Sequence, residues 1–139
     1  IGTTMTITDK IVPGMVGVDI GCGMETTRLQ ETEIDFAKLD QVIREYIPSG
    51  REVRDTPHAL NAEIDLSALR CADLVNLDRA RRSIGTLGGG NNFIEVDRGS
   101  DRSLYLVVHS GSRYLGTEVA NFYQDEGRRA LWGGANYQI

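Results

Sequence analysis

Lysine is almost missing from this chain, which has Lys10 and Lys38 against thirteen arginines, and histidine occurs only as His58 and His109. Imidazole chemistry is therefore confined to two positions. Cysteine is equally sparse. Cys22 and Cys71 sit in unlike contexts with no framework spacing, which excludes a disulfide-stapled scaffold and leads us to expect a reducing cytoplasm. No apolar run approaches the ~20 residues a bilayer-spanning helix needs, so no membrane is expected as a partner. Net charge is −5, which argues against a basic nucleic-acid surface spread over the whole chain. There is no starting Met and no signal-peptide pattern. The opening Ile1-Gly2-Thr3-Thr4 reads like the inside of a strand region, so the 139 residues are expected to be one piece of a larger domain.

What is present is concentrated in three glycine-bearing strings. In Gly17-Val18-Asp19-Ile20-Gly21-Cys22-Gly23-Met24 a carboxylate and a thiol stand three residues apart on a turn whose glycines let the backbone curl, so Asp19 and Cys22 can face one point. That is a metal-site layout, and equally the layout of a tight turn holding a buried thiol. In Gly85-Thr86-Leu87-Gly88-Gly89-Gly90-Asn91-Asn92-Phe93-Ile94-Glu95 the glycine run has the backbone freedom of a phosphate loop. It matches neither G-x-x-x-x-G-K-[ST] nor G-x-G-x-x-G. In His109-Ser110-Gly111-Ser112-Arg113 the histidine ends an apolar strand, as a ligand or as a satisfied strand-end residue.

The hydrophobic pattern places these strings. Met5–Ile11 and Met15–Ile20 are expected to be strands, with a third near Glu25–Leu29. Phe36, Leu39, Val42, Ile43, Tyr46 and Ile47 recur at helical spacing, giving a helix from an Asp35 N-cap to Ile47, closed by Pro48-Ser49-Gly50. Residues 48–64 read as a surface loop over the site, with His58 solvated. A helix over about Leu74–Ser83 leads into the glycine run. Phe93–Val96 and Ser103–Val108 make a hairpin about Asp97–Arg102 that brings Asn92 and His109 toward one edge. Leu115, Val119, Phe122, Tyr123 and Leu131 imply a final helix. The class is α+β, with a mixed or mostly antiparallel sheet and flanking helices.

Taken together, in this order and over nearly the whole chain, the three strings resemble the RtcB family of tRNA-splicing RNA ligases, covering roughly its N-terminal-to-middle third. The resemblance implies a pair of Mn(II) ions. Asp19 and Cys22 would belong to one ion, and Cys22 and His109 to the other. Zn(II) is expected as a contaminant because thiolate and imidazole favour it. It also implies GTP as cofactor, with Asn91, Asn92, Phe93, Ile94 and Glu95 matching the guanylate-contacting stretch. The reaction implied joins a 2′,3′-cyclic phosphate or 3′-phosphate to a 5′-hydroxyl, on tRNA halves or broken RNA, through a histidine–GMP intermediate. The nucleophile string has no counterpart here, so no catalytic residue is assigned and the chain alone is expected to be inactive.

One position departs from the family. The chain reads Gly90-Asn91-Asn92-Phe93 where the family reads G-N-H-F. An amide oxygen is a weaker ligand than an imidazole nitrogen, so the metal position at Asn92 is expected to be weakened, whether by engineering, by divergence or as a swap tolerated by an oxygen-loving ion. A metal- and nucleotide-binding paralogue that does not ligate is the alternative, and a diverged repair paralogue is another. Arg79, Arg81, Arg82, Arg113, Arg128 and Arg129 could line a local RNA path, against the plainer reading of solvated helix faces.

Overall fold

A computed structural model describes residues 5–9 and 20–132 of the chain. Strand β1 (Gly23–Arg28) is followed by helix α1 (Phe36–Tyr46), three short 3₁₀ turns, helix α2 (Leu77–Ser83), strands β2 (Phe93–Arg98) and β3 (Leu104–Ser110), and helix α3 (Arg113–Trp132). The three strands form one antiparallel sheet in the order β1-β3-β2. The class is therefore α+β. The strand near Glu25, the hairpin and all three expected helices lie within a few residues of where the pattern puts them.

Local chemistry sets the boundaries. Asp35 caps α1 by accepting from the Lys38 amide at 3.1 Å, and Ile47 closes it through its amide to the Ile43 carbonyl at 2.9 Å. Helix α2 starts later than the apolar spacing suggests because Asn76 caps it, accepting from the Arg79 amide at 2.9 Å; Ala72–Leu74 is a separate 3₁₀ turn. His58 is not merely solvated. Its Nδ1 accepts from the Leu60 amide at 3.2 Å and so caps the 3₁₀ turn Ala59–Glu63 inside the expected loop.

Met5–Asp9, the described part of the first expected strand, is irregular chain with a bend at Thr8 and Asp9 and forms no strand. The expected strand Met15–Ile20 lies outside the described residues except for Ile20. Among the described residues the buried apolar set is Leu66, Cys71, Val75, Ala80, Leu104, Val107 and Ala120, drawn from the 3₁₀ segment, α2, the middle strand β3 and α3. The edge strand β1 is exposed along its length, and α1 buries no residue fully.

The register positions the site. Met24, His109 and Phe93 form one row across the three strands, and Gly23 pairs with Ser110. Cys22 therefore enters β1 beside the end of β3, where the His109 string begins, and Asn92 enters β2 at the same end of the sheet. Three strings far apart in sequence converge on one sheet end.

Candidate metal and nucleotide site

His109 is held by the glycine loop. Its Nδ1 lies 3.0 Å from the Asn91 carbonyl, and its ring centroid is 5.3 Å from that of Phe93. A carbonyl can only accept, so Nδ1 carries the proton. In the neutral ring Nε2 then presents a lone pair, the arrangement a metal-binding histidine has when its second nitrogen is anchored to a carbonyl.

Asn92 is held on the other side of the pleat. Its Nδ2 donates to the Leu87 carbonyl at 2.7 Å, and Ser110 Oγ donates to the same carbonyl at 3.3 Å. Ser110 follows His109 in β3, and neighbouring strand residues point to opposite faces. The hydrogen bonds thus group Asn92 with Ser110 and Leu87, and His109 with Asn91 and Phe93. Asn92 Oδ1 is buried without a hydrogen-bond partner. A buried orphan oxygen costs free energy unless a donor or a cation meets it, so this atom is the one feature of the Asn92 amide that fits an ion or a water.

Cys22 is exposed and Cys71 is buried, the reverse of what a shielded thiol on the turn would give. The turn is fastened from behind: Ser112 Oγ donates to the Ile20 carbonyl, and the Gly116 amide donates to the Ser112 carbonyl at 2.7 Å. Asp19 lies outside the described residues, as does the Arg113 side chain. Among the described residues no three His, Cys, Asp or Glu side chains form a cluster. The described residues offer two separate donor groups, the Cys22 thiol and His109 imidazole at one sheet end and the Asn92 amide oxygen on the other side of the pleat. Thiol and imidazole suit a borderline divalent ion once a carboxylate joins them.

The glycine run forms the wall of a cleft of about 300 Å³, lined by Gly85, Thr86 and Gly88 on one side and Ser110, Gly111 and Ser112 on the other. Gly85, Gly88 and Gly90 all have positive φ. Left-handed residues at these three positions are the backbone feature from which anion nests are built. Of the other residues matched to the guanylate stretch, Ile94 lies half-buried on β2, and Glu95 lies exposed on the same pleat face as Phe93 and His109.

Most of the arginines take the plainer role. Arg82 pairs with Asp78 at 2.7 Å, Arg128 with Asp125 at 2.7 Å and Arg129 with Glu126 at 2.8 Å, all along their own helices. Arg79 lies over the Tyr114 ring, 5.3 Å from its centroid. The arginine that grips the glycine run is Arg54, which no motif in the sequence marks. Ser112 and Ser110 were visible only as members of the His109 string.

A family profile described as tRNA-splicing ligase RtcB matches residues 69–137, from before α2 through the glycine run, the His109 string and α3. RNA-splicing ligase RtcB1 of Escherichia coli strain ATCC 25922 and RNA-splicing ligase RtcB of Escherichia coli K12 are each 30% identical over 153 aligned residues. Each alignment covers 94% of this chain and 37% of the relative. RNA-splicing ligase RtcB homolog 1 of Entamoeba histolytica is 25% identical over 83% of the chain. The chain thus spans a little over a third of the length of these two Escherichia coli relatives. With the glycine run, the His109 string and the Cys22 turn gathered at one end of the sheet, the chain belongs to the RtcB family.

Proposed function

We propose that this chain carries the metal- and guanine-nucleotide-binding part of an RNA ligase that joins RNA 2′,3′-cyclic-phosphate or 3′-phosphate ends to 5′-hydroxyl ends, using GTP and Mn(II). The observation that carries the reading is the anchored His109 ring, whose Nδ1 is bound to the carbonyl of Asn91 in the glycine run. One hydrogen bond thereby couples the imidazole to the loop expected to hold phosphate.

Cys22 and His109 would hold metal, together with Asp19, while the Asn92 amide oxygen, on the other side of the pleat, would belong to a separate and weaker position. When bound, the ions supply charge that offsets the phosphates and the negative charge building on the transferred phosphorus. The chain's own residues bind and orient. Glycine-run amides other than those of Thr86 and Leu87, which bond the Ser83 and Pro48 carbonyls, receive phosphate oxygens. Asn91 contacts phosphate through its side chain while its carbonyl fixes the His109 tautomer, and Glu95 accepts from the nucleotide. No histidine of this chain stands in the context of the family nucleophile. Mn(II)-dependent binding of GTP without a covalent adduct is therefore expected of these 139 residues. Equilibrium binding of labelled GTP with and without Mn(II), followed by denaturing electrophoresis, tests this; no Mn(II)-dependent binding, or a stable protein–GMP adduct, contradicts it.

A second reading is favoured by one contact. Asn92 Nδ2 is committed to the Leu87 carbonyl, which fixes the side chain while Oδ1 stays without a protein partner. A position used to staple the loop rather than to ligate an ion suits a binding paralogue that does not ligate RNA.

A further inference from the structure

Residues 48–50 run alongside the glycine run and fasten it, and Arg54 fastens the end of α2 that leads into it. The Leu87 amide donates to the Pro48 carbonyl at 2.9 Å, the Gly50 amide to the Gly88 carbonyl at 2.8 Å, and the Arg54 amide to the Arg82 carbonyl at 2.9 Å. Ser49 and Gly88 form a parallel bridge, and a Cβ on Gly89 would lie 3.2 Å from Gly50 Cα. At the far end the Arg54 guanidinium closes the strap. Its Nε donates to the Ile84 carbonyl at 3.2 Å and its NH2 to the Gly85 carbonyl at 2.6 Å.

We infer that Arg54 is a positioning residue, whose two-pronged grip on the Ile84 and Gly85 carbonyls sets the glycine run in the conformation that receives the phosphates of the nucleotide; this rests on the functional reading above. Helix α2 ends at Ser83, so the carbonyls of Ile84 and Gly85 lie just beyond it, where no further helical turn takes them up. A planar fork with fixed donor spacing suits two adjacent carbonyls, and a lysine's single ammonium does not. Gly85 has φ +76°, and a Cβ there would come 3.0 Å from Arg54 Nε, so the guanidinium packs directly against the left-handed residue that starts the loop. The two gripped residues, Ile84 and Gly85, themselves line the cleft, so the grip acts on its wall. Entropy supplies the functional consequence: a loop already ordered pays less when an anion binds.

The test compares Arg54→Lys and Arg54→Met with Arg82→Lys, a neighbouring arginine whose side chain pairs with Asp78 and not with the loop. Amide hydrogen exchange and Mn(II)-dependent GTP binding are measured on each. Both Arg54 variants should speed exchange within residues 85–90, leave α1 and the hairpin protected, and weaken GTP binding by roughly 10-fold, the scale of a lost charge-assisted hydrogen bond. Arg82→Lys should change neither. Faster exchange across the whole chain, or loop loosening with unaltered GTP affinity, overturns the positioning role and leaves the nucleotide-binding reading standing. Wild-type protein that takes up no GTP overturns that reading and this inference together, and that measurement alone tells the two failures apart.

Discussion

The hydroxyl of Ser112 donates to the carbonyl of Ile20, joining residues 92 apart in sequence. This contact fastens the turn that carries Cys22 to the string that begins at His109. Gly116 sits directly beneath it. A Cβ at Gly116 would collide with Ser112 Oγ and come within 2.9 Å of the Ile20 carbonyl oxygen.

Gly116→Val should therefore pry the two strings apart and cost about 1–3 kcal/mol, the usual scale of overpacking. Gly23→Ala is the matched control, since an added Cβ there meets nothing within 4 Å. Urea denaturation of both variants is the measurement. Equal midpoints for the two would show that the Gly116 contact carries no weight.

The hairpin end offers a pH test. The Asp101 carboxylate accepts from Ser103 Oγ at 2.8 Å and from the Ser103 amide at 3.0 Å, and Arg28 lies 3.6 Å away. The Ser103 hydroxyl first, then its amide and Arg28, hold the Asp101 carboxyl below its ordinary value. A carboxyl depressed in the folded state contributes stability above its unfolded value of about 3.9 and loses that contribution as pH falls through the lower folded value. Carboxyl-detected NMR titration should place the Asp101 midpoint below that of a free Asp, and Ser103→Ala should move it upward. An unmoved midpoint in the variant contradicts the assignment.

Asn92 separates the ligating from the non-ligating reading. Replacing it by histidine removes the donor to Leu87 but offers a ring nitrogen in place of the orphan oxygen. Asn92→His should raise the metal content of the protein and strengthen Mn(II)-dependent GTP binding together, by at least ~10-fold in metal affinity if a ligand is restored. Elemental analysis with equilibrium GTP binding reads both. A variant that gains neither, and whose glycine-run amides exchange faster, would make Asn92 a loop staple and favour the paralogue.

Much of the scaffold was legible because its signals are local. The Asp35 cap, the apolar spacing of α1, and the two β-rich runs on either side of Asp97–Arg102 each act within a few residues. So was the convergence of Asn92 and His109 on one sheet end, which follows from hairpin pairing. The grouping of side chains was not. Whether Asn92 faces His109 or Ser110 depends on the pleat and on the Leu87 carbonyl, a backbone atom that any residue would supply. Arg54 was hidden for the same reason, since it grips two carbonyls and leaves no pattern of side-chain types. His58 looked idle in a polar stretch, though its ring nitrogen caps a 3₁₀ turn. The expected strand Met5–Ile11 had the right alternation, but Met5–Asp9 finds no partner strand among the described residues.

The central claim is that Cys22 and His109 hold a divalent ion at the end of the sheet, and Mn(II) titration followed by electron paramagnetic resonance tests it most directly. The wild-type protein and Cys71→Ser should bind Mn(II) alike, because Cys71 is a core thiol only 2% exposed. Cys22→Ala and His109→Ala should each lose at least ~10-fold in affinity, as loss of a ligand must cost no less than loss of its supporting contacts. Wild-type Mn(II) affinity in either the Cys22 or the His109 variant would contradict the claim.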